Sequence, residues 1–296
     1  MELAGHECVG FCEFDKFATA SYVSMHCATE QQREYLATLN LKDRQNEILK
    51  EEYRNGEWYA DDVRRVNPDD IPDAECWCFG FPCQDISISG HQRGFTGNRS
   101  SLFYRIMYLV GQLPEKRKPD VLFIENVKNL LSVNRGWDFA RLLVEMDRGG
   151  YDAEWQVINS KHHGVPQNRE RVFVVGHNRN SCTGRVFPIE GTTDGVLKTI
   201  QCDTSGKGHK SQSDRAHLID GIMCCVPNTR AETFCVTFVN GNAHVLTARE
   251  RLRLQGFDEY LIDRAYLINK PKALAAQAGN SVTVNVIKAI AERLGD

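Results

Sequence analysis

Cys83 is the residue of this sequence whose setting most invites chemistry. It lies in Phe79-Gly80-Phe81-Pro82-Cys83-Gln84-Asp85-Ile86-Ser87-Ile88-Ser89-Gly90, where an apolar strand-like run gives way to a loop rich in glycine and serine. Cysteine in general is most often a small buried hydrophobe, but a thiol delivered from a strand end into such a loop suits nucleophilic attack. A second ionisable group, Glu125, ends a second apolar run in Phe123-Ile124-Glu125-Asn126-Val127. Packing does not account for a carboxylate there, because burying one without a partner is costly. The third element is Pro166-Gln167-Asn168-Arg169-Glu170-Arg171, directly before another apolar run, and its alternation puts two guanidiniums on one side of an extended segment. A free thiol ionises only near pH ~8.5, so a Cys83 that acts as a nucleophile needs an electropositive setting, for which Arg169 and Arg171 are the candidates.

The elements that carry these residues alternate between short β-rich runs and longer helical stretches, which predicts an α/β fold with a mostly parallel sheet. Strands are expected at 8–14, 76–79, 121–124, 154–159 and 172–176, and helices at 16–25, 29–54, 101–112, 137–148, 248–254 and 271–294. In an open sheet of this kind ligands bind beyond the carboxyl ends of the strands, where Cys83 and Glu125 both fall. Between 177 and 243 small polar residues accumulate and apolar periodicity fades, so three parts are expected: 1–176, a small inserted region at 177–243, and helices at 244–296 that return to the first part. Regular structure resumes where Thr247 can cap a helix, with Glu250 at the capping-box position.

These three elements, followed by the segment 245–257 and by Gln277-Ala278-Gly279-Asn280-Ser281-Val282, resemble the ordered motif set of the DNA (cytosine-5) methyltransferases over nearly the whole chain. The resemblance implies a Rossmann-like, S-adenosylmethionine-dependent methyltransferase sheet with a small inserted target-recognition domain, of a restriction-modification, phage or mobile-element type. It implies that Cys83 adds to carbon 6 of cytosine, making carbon 5 able to attack the methyl group of S-adenosylmethionine. Glu125 then serves ring nitrogen 3, and Arg171 with Arg169 holds Glu125 and the cytosine carbonyl oxygen. No side chain announces itself as the base that removes the carbon 5 proton. Cytosine inside double-stranded DNA must be rotated out of the stack to react. The loop from Gln84 to about Asn98 would close over it, with Gln84, Ser87, Ser89 and Arg99 as DNA contacts. For the cofactor, the resemblance gives Glu13 to the ribose hydroxyls, Phe14 to the adenine face, Asp62 to the adenine amine, Leu102 to nearby packing, and Asn280 with Ser281 to the methionine end.

The family opens with a strand and a Phe-x-Gly-x-Gly turn, whereas this sequence starts Met1-Glu2-Leu3-Ala4-Gly5, which reads as the end of the following helix with Gly5 as its terminator. The run at 8–14 and the run at 76–79 are therefore expected to face one another across a gap or to collapse into direct pairing. A catalytically impaired remnant and a tRNA-modifying relative are the competing readings.

Composition limits the partners. A formal net charge of -3 argues against coating nucleic acid by bulk charge, so any DNA contact must be local, at residues such as Arg93, Lys161, Arg179, Arg185, Lys207 and Lys210. The inserted region is short for reading base edges; Asn228, Thr229 and Arg230 are its candidates. The cysteines lie in apolar runs or singly in loops without paired C-x-x-C spacing, so reduced thiols and no metal are expected. No apolar run approaches the roughly 20 residues of a membrane span, and the start lacks signal-peptide blocks. A cytoplasmic monomer is the expectation.

Overall fold

The computed structural model describes residues 1–82, 102–192, 199–201, 215–218, 221–226, 236–239 and 242–294. In chain order its main strands are β1 (Gly10–Cys12), β2 (Trp58–Ala60), β3 (Cys76–Gly80), β4 (Val121–Val127), β5 (Tyr151–Asn159), β6 (Gln167–Asn168) and β7 (Glu170–Asn178). β4 is the centre of a four-stranded sheet of order β3-β4-β7-β5. Its residues Val121 to Ile124 are all buried, because both faces of the sheet are covered. Leu122 and Ile124 point to one face, where helices α4 (Leu102–Gln112) and α5 (Trp137–Arg148) bring Phe103, Met107, Phe139, Leu142 and Met146. Val121 and Phe123 point to the other, packing with Val186, Phe187 and Ile189 and with the C-terminal helix residues Val286, Ile287 and Ile290. The period-2 alternation of the strand thus feeds two separate cores, as an α/β/α sandwich requires.

The sheet is mixed rather than mostly parallel. β3 and β4 are parallel, but β7 runs antiparallel to both β4 and β5. The connection from β5 to β7 has no room for a crossover helix, and only an antiparallel return closes over so short a link.

Several expected helices are broken, each at a residue with a physical reason to break it. The stretch 29–54 divides into α2 (Glu30–Thr38) and α3 (Leu41–Glu47), because Leu39 is extended and the Asn40 side chain caps the second helix by accepting from the Lys42 and Asp43 amides. The first helix, α1 (Lys16–Tyr22), runs on as a π turn over Val23–Cys27. At the C-terminal end α6 (Ala248–Arg253) starts from the anticipated capping box, with Thr247 and Glu250 satisfying each other's backbone amides. It is followed by α7 (Glu259–Ile268), which the sequence pattern did not reveal, and then by α8 (Pro271–Asn280) and α9 (Val284–Ala291) in place of one helix over 271–294. The break falls at Ser281, Val282 and Thr283, where Ser281 is extended and the buried Thr283 hydroxyl bonds to Ser160 and Gln255.

The first strand is shorter than expected, and for a topological reason. β1 pairs, in parallel, only with β2, forming a two-stranded sheet of its own, and β3 has β4 as its strand partner on one side. Among the described residues no strand lies between β1 and β3. Met1 begins a single 3-10 turn over Glu2–Ala4 that Gly5 terminates at φ +87°. A second, four-stranded sheet is formed by backbone at Thr199–Gln201, Arg215–Leu218, Val236–Val239 and Asn242–Val245, within the stretch whose texture changes.

Candidate active site

The parallel pairing of β3 with β4 sets Gly80 opposite Glu125. A Cβ on Gly80 would stand 3.3 Å from the Glu125 carbonyl oxygen and 3.5 Å from its carboxylate, so a glycine here leaves the carboxylate its space. The adjacent Asn126 is buried and donates from Nδ2 to the Phe81 carbonyl at 2.8 Å. The Glu-Asn pair therefore does two jobs at one strand end: it presents a carboxylate and anchors the backbone that leads to Pro82. Cys83 follows Pro82 directly, and it lies outside the described residues together with Gln84, Ser87, Ser89, Arg93 and Arg99.

Arg171, on β7 and opposite Val127 of β4, donates from Nε to Glu125 Oε1 at 3.0 Å, with both side chains largely shielded from water. Burial pushes the Glu125 carboxyl above its ordinary value, and the Arg171 and Arg169 charges pull it back only in part. Such a group holds a proton more readily than a surface glutamate does, which suits hydrogen bonding to a ring nitrogen.

Arg169 is placed differently from the expectation that it would grip Glu125. Its Nη2 donates to the carbonyls of Gly279 and Ser281, at 3.2 and 2.7 Å, and its Nη1 approaches Cys225 Sγ at 3.3 Å. The Arg171 Nη2 reaches the same sulfur at 3.6 Å. The two guanidiniums do share one side of the segment, as the alternation predicts, but they meet at a cysteine that sequence reasoning missed. Cys225 sits beyond any motif, and a two-strand pairing between Met223–Cys224 and β6 brings it in. Gln167, fully buried, pins the same junction by donating to the Leu254 carbonyl at 2.8 Å and accepting from the Val226 amide at 3.1 Å.

The cofactor candidates divide into two sets. Glu13, Phe14, Asp62 and Leu102 all line a cavity of about 1760 Å³ that opens between β1 and β3. The usual small-molecule pocket measures roughly 300–1,000 Å³, so this space exceeds what one ligand fills. Acidic side chains and an aromatic ring at strand ends suit a nucleoside with hydroxyls and an amine. Phe14 is exposed, with the Arg64 guanidinium 5.8 Å from its ring centre. Asp62 is already satisfied: Arg64 donates to both carboxylate oxygens and through its backbone amide, holding the Asp62 carboxyl below its ordinary range. Accepting from another donor requires Arg64 to give way.

Asn280 and Ser281 are not on that cavity wall. Asn280 is exposed at the end of α8, while Ser281 donates to the Ala278 carbonyl and lends its own carbonyl to Arg169. The residue after them, Val282, does line the cavity. Lys207, Lys210, Asn228, Thr229 and Arg230 lie outside the described residues. Arg179 pairs with Asp147 and Asp152, and Arg185 with Glu154, on the surface of the sandwich. Among the described residues all cysteines are free thiols, no cluster of three or more His, Cys, Asp or Glu could hold a metal, and no helix is long and apolar enough to cross a membrane.

Known proteins match both the sequence and the fold. The family model for C-5 cytosine-specific DNA methylases matches residues 34–201 and 190–296. The type II methyltransferase M2.ScrFI of Lactococcus lactis subsp. cremoris is 29% identical, with 98% of this chain and 92% of the relative covered. M.HhaI of Haemophilus parahaemolyticus is also 29% identical, covering 100% of this chain and 89% of that protein. Among solved structures, the S. pombe Dnmt2 methyltransferase superposes with a TM-score of 0.61 at 16% identity over 96% of this chain and 97% of the other, a likeness of fold. With a strand-end carboxylate gripped by an arginine, a backbone anchored toward Pro82, and a family match over most of its length, the chain belongs to the C-5 cytosine-specific DNA methylases.

Proposed function

We propose that this chain methylates carbon 5 of a cytosine rotated out of double-stranded DNA, with Cys83 as the nucleophile and S-adenosylmethionine as the methyl donor. The observation that carries this reading is the Glu125–Arg171 pair at the carboxyl end of β4, one strand away from the backbone that leads into Cys83. The Cys83 thiolate adds to carbon 6 of the ring, and the negative charge that develops passes toward ring nitrogen 3. Glu125, kept protonatable by burial, meets that nitrogen, and Arg171 fixes the carboxyl's orientation. Carbon 5 then has the electron density to attack. The cofactor supplies the electrophilic methyl group. Transfer of the carbon 5 proton to a water molecule would return its electron pair to the ring and release Cys83 as thiolate by elimination.

Glu13, Phe14, Asp62 and Leu102 would hold the cofactor's nucleoside end, and Val282 would border its other end. Gln84, Ser87, Ser89 and Arg99 would contact DNA around the extruded base. The stretch 177–243 would form the target-recognition region, between catalytic parts at 1–176 and 244–296.

The open space between β1 and β3 favours a second reading, in which the chemistry is intact but cofactor binding is impaired. The deciding experiment incubates the protein with labelled S-adenosylmethionine and unmethylated duplex DNA, then maps 5-methylcytosine by bisulfite sequencing. New 5-methylcytosine supports the first reading. Its absence alongside a covalent adduct to DNA would support the second, and absence of both would remove the proposed chemistry.

A further inference from the structure

The two guanidiniums beside Glu125 lie close to one sulfur. Arg169 reaches Cys225 Sγ at 3.3 Å and Arg171 at 3.6 Å, while the Cys225 thiol itself is directed to the Val226 carbonyl at 3.7 Å. That donor direction leaves the sulfur's lone pairs to the arginines. Arg169 has two further anchors, the Gly279 and Ser281 carbonyls, although its buried Nε has no partner among the described residues. Arg171 is held less well. Its Nη1 donates to the carbonyl of Glu170, the residue before it, which does not restrain the side chain from across the site. Among the described residues its contacts from other elements are Glu125 and Cys225.

Two cations drawn to one point repel, and the repulsion would push the less tethered of them, Arg171, away from its carboxylate. A polarisable acceptor between them offsets that push. The backbone makes the placement firm: Met223 and Cys224 pair with Gln167 and Asn168 in parallel register, so the next residue on each strand brings Cys225 alongside Arg169. Gln167 clamps the following amide, that of Val226.

We propose that Cys225 is a positioning residue for the reaction, its sulfur holding the Arg169–Arg171 pair so that Arg171 stays on Glu125. The proposal rests on the role given to Glu125 above and extends it to a segment within the stretch read as target recognition. A shift of that segment on DNA would then reach the catalytic carboxyl through one sulfur atom.

The test reads Glu125 directly and needs no turnover. With glutamate carboxyls labelled by carbon-13, the Glu125 resonance is assigned by its loss in Glu125→Gln and titrated in the intact chain. The charged groups acting on it are Arg171 and Arg169, on the β6–β7 segment, and Cys225 faces those two from the neighbouring strand. In Cys225→Ala, Arg171 leaves the ion pair part of the time and the Glu125 titration should move up by more than about half a unit. Cys225→Ser, whose hydroxyl oxygen also accepts, should stay near the wild type. Cys225→Val, closer in volume but unable to accept, replaces the alanine variant if that one fails to fold. An unmoved Glu125 in the alanine or valine variant, with Arg171→Ala moving it, would overturn the proposal, as would a serine variant that shifts as far as alanine. Near-normal methyl transfer by Glu125→Gln would instead remove the reaction role of Glu125 and leave the titration result standing.

Discussion

The two halves of the site are built to different degrees of completion. The half that would carry bond-making stands on β3, β4 and β7, three strands with continuous ladders between them and helices over both faces. The half that would hold the cofactor stands on β1 and β2, a two-stranded piece separated from β3 by a cavity of about 1760 Å³. The contrast teaches that the reacting groups depend on strand register, which local ladders fix. A cofactor cradle depends on a continuous sheet, and among the described residues no strand joins β1 to β3. A folded reaction centre does not by itself imply a tight cofactor site.

The sharpest way to break that comparison acts on the complete half. In a chain supplied with a strand between β1 and β3, so that cofactor binding permits turnover, Cys83→Ser should abolish methyl transfer, by several orders of magnitude, while leaving fold and DNA affinity nearly unchanged, since the hydroxyl is similar in shape but far less nucleophilic. The wild type should also form a covalent complex with DNA containing 5-fluorocytosine, in which carbon 5 has no proton to lose. Unchanged turnover in the serine variant, measured with labelled cofactor, removes Cys83 from the mechanism.

Next in size is Glu125→Gln, expected to lose about 10²–10⁴-fold in rate, the usual contribution of a general acid or base. The pH dependence follows from the direction of its shift. A carboxyl whose folded value is raised binds more protons folded than unfolded across the window between those values, so it weakens stability as pH rises through that window. The same rise removes the proton that ring nitrogen 3 is meant to meet. Rate should therefore fall above the raised value, and a glutamine variant should show a flatter stability profile. Stability curves that coincide at all pH values would contradict the buried setting of Glu125.

The interrupted half is tested by cofactor binding. The facing edges of β1 and β3 are half-buried to exposed, so water reaches their backbone groups, and what is lost there is the rigid ladder that would order a cofactor cradle. The 296-residue chain is accordingly expected to bind S-adenosylmethionine weakly or not at all, and to self-associate through its open edges. Calorimetry that finds micromolar binding by a monodisperse monomer would show that the interruption matters far less than the loss of that ladder implies.

A smaller effect provides the control. Thr247→Ala removes one partner of the capping box at the start of α6 and should cost about 1 kcal/mol, measured as a drop in unfolding free energy, with no effect on the Glu125 titration. A shift in that titration would mean that α6 is coupled to the site by contacts other than those described.

Spacing alone was enough to place Glu125 and Arg171 at strand ends and to identify the capping box at Thr247, while the methylase family came from the resemblance of its ordered motifs. Each placement is a local signal, because a polar residue ending an apolar run or a Thr-x-x-Glu before one has a cost or a bond that its neighbours fix. What required the tertiary structure is everything decided between distant segments. Asn40 and Ser281 interrupt stretches that read as continuous helix, the first by capping a new start and the second by giving its carbonyl to an arginine 112 residues away. The mixed sense of the sheet came from the length of a connection, which hydrophobic periodicity does not encode. Cys225 met two arginines more than 50 residues away through side-chain placement that no pattern along the chain records. Periodicity fixes which residues face inward; only packing fixes which of them touch.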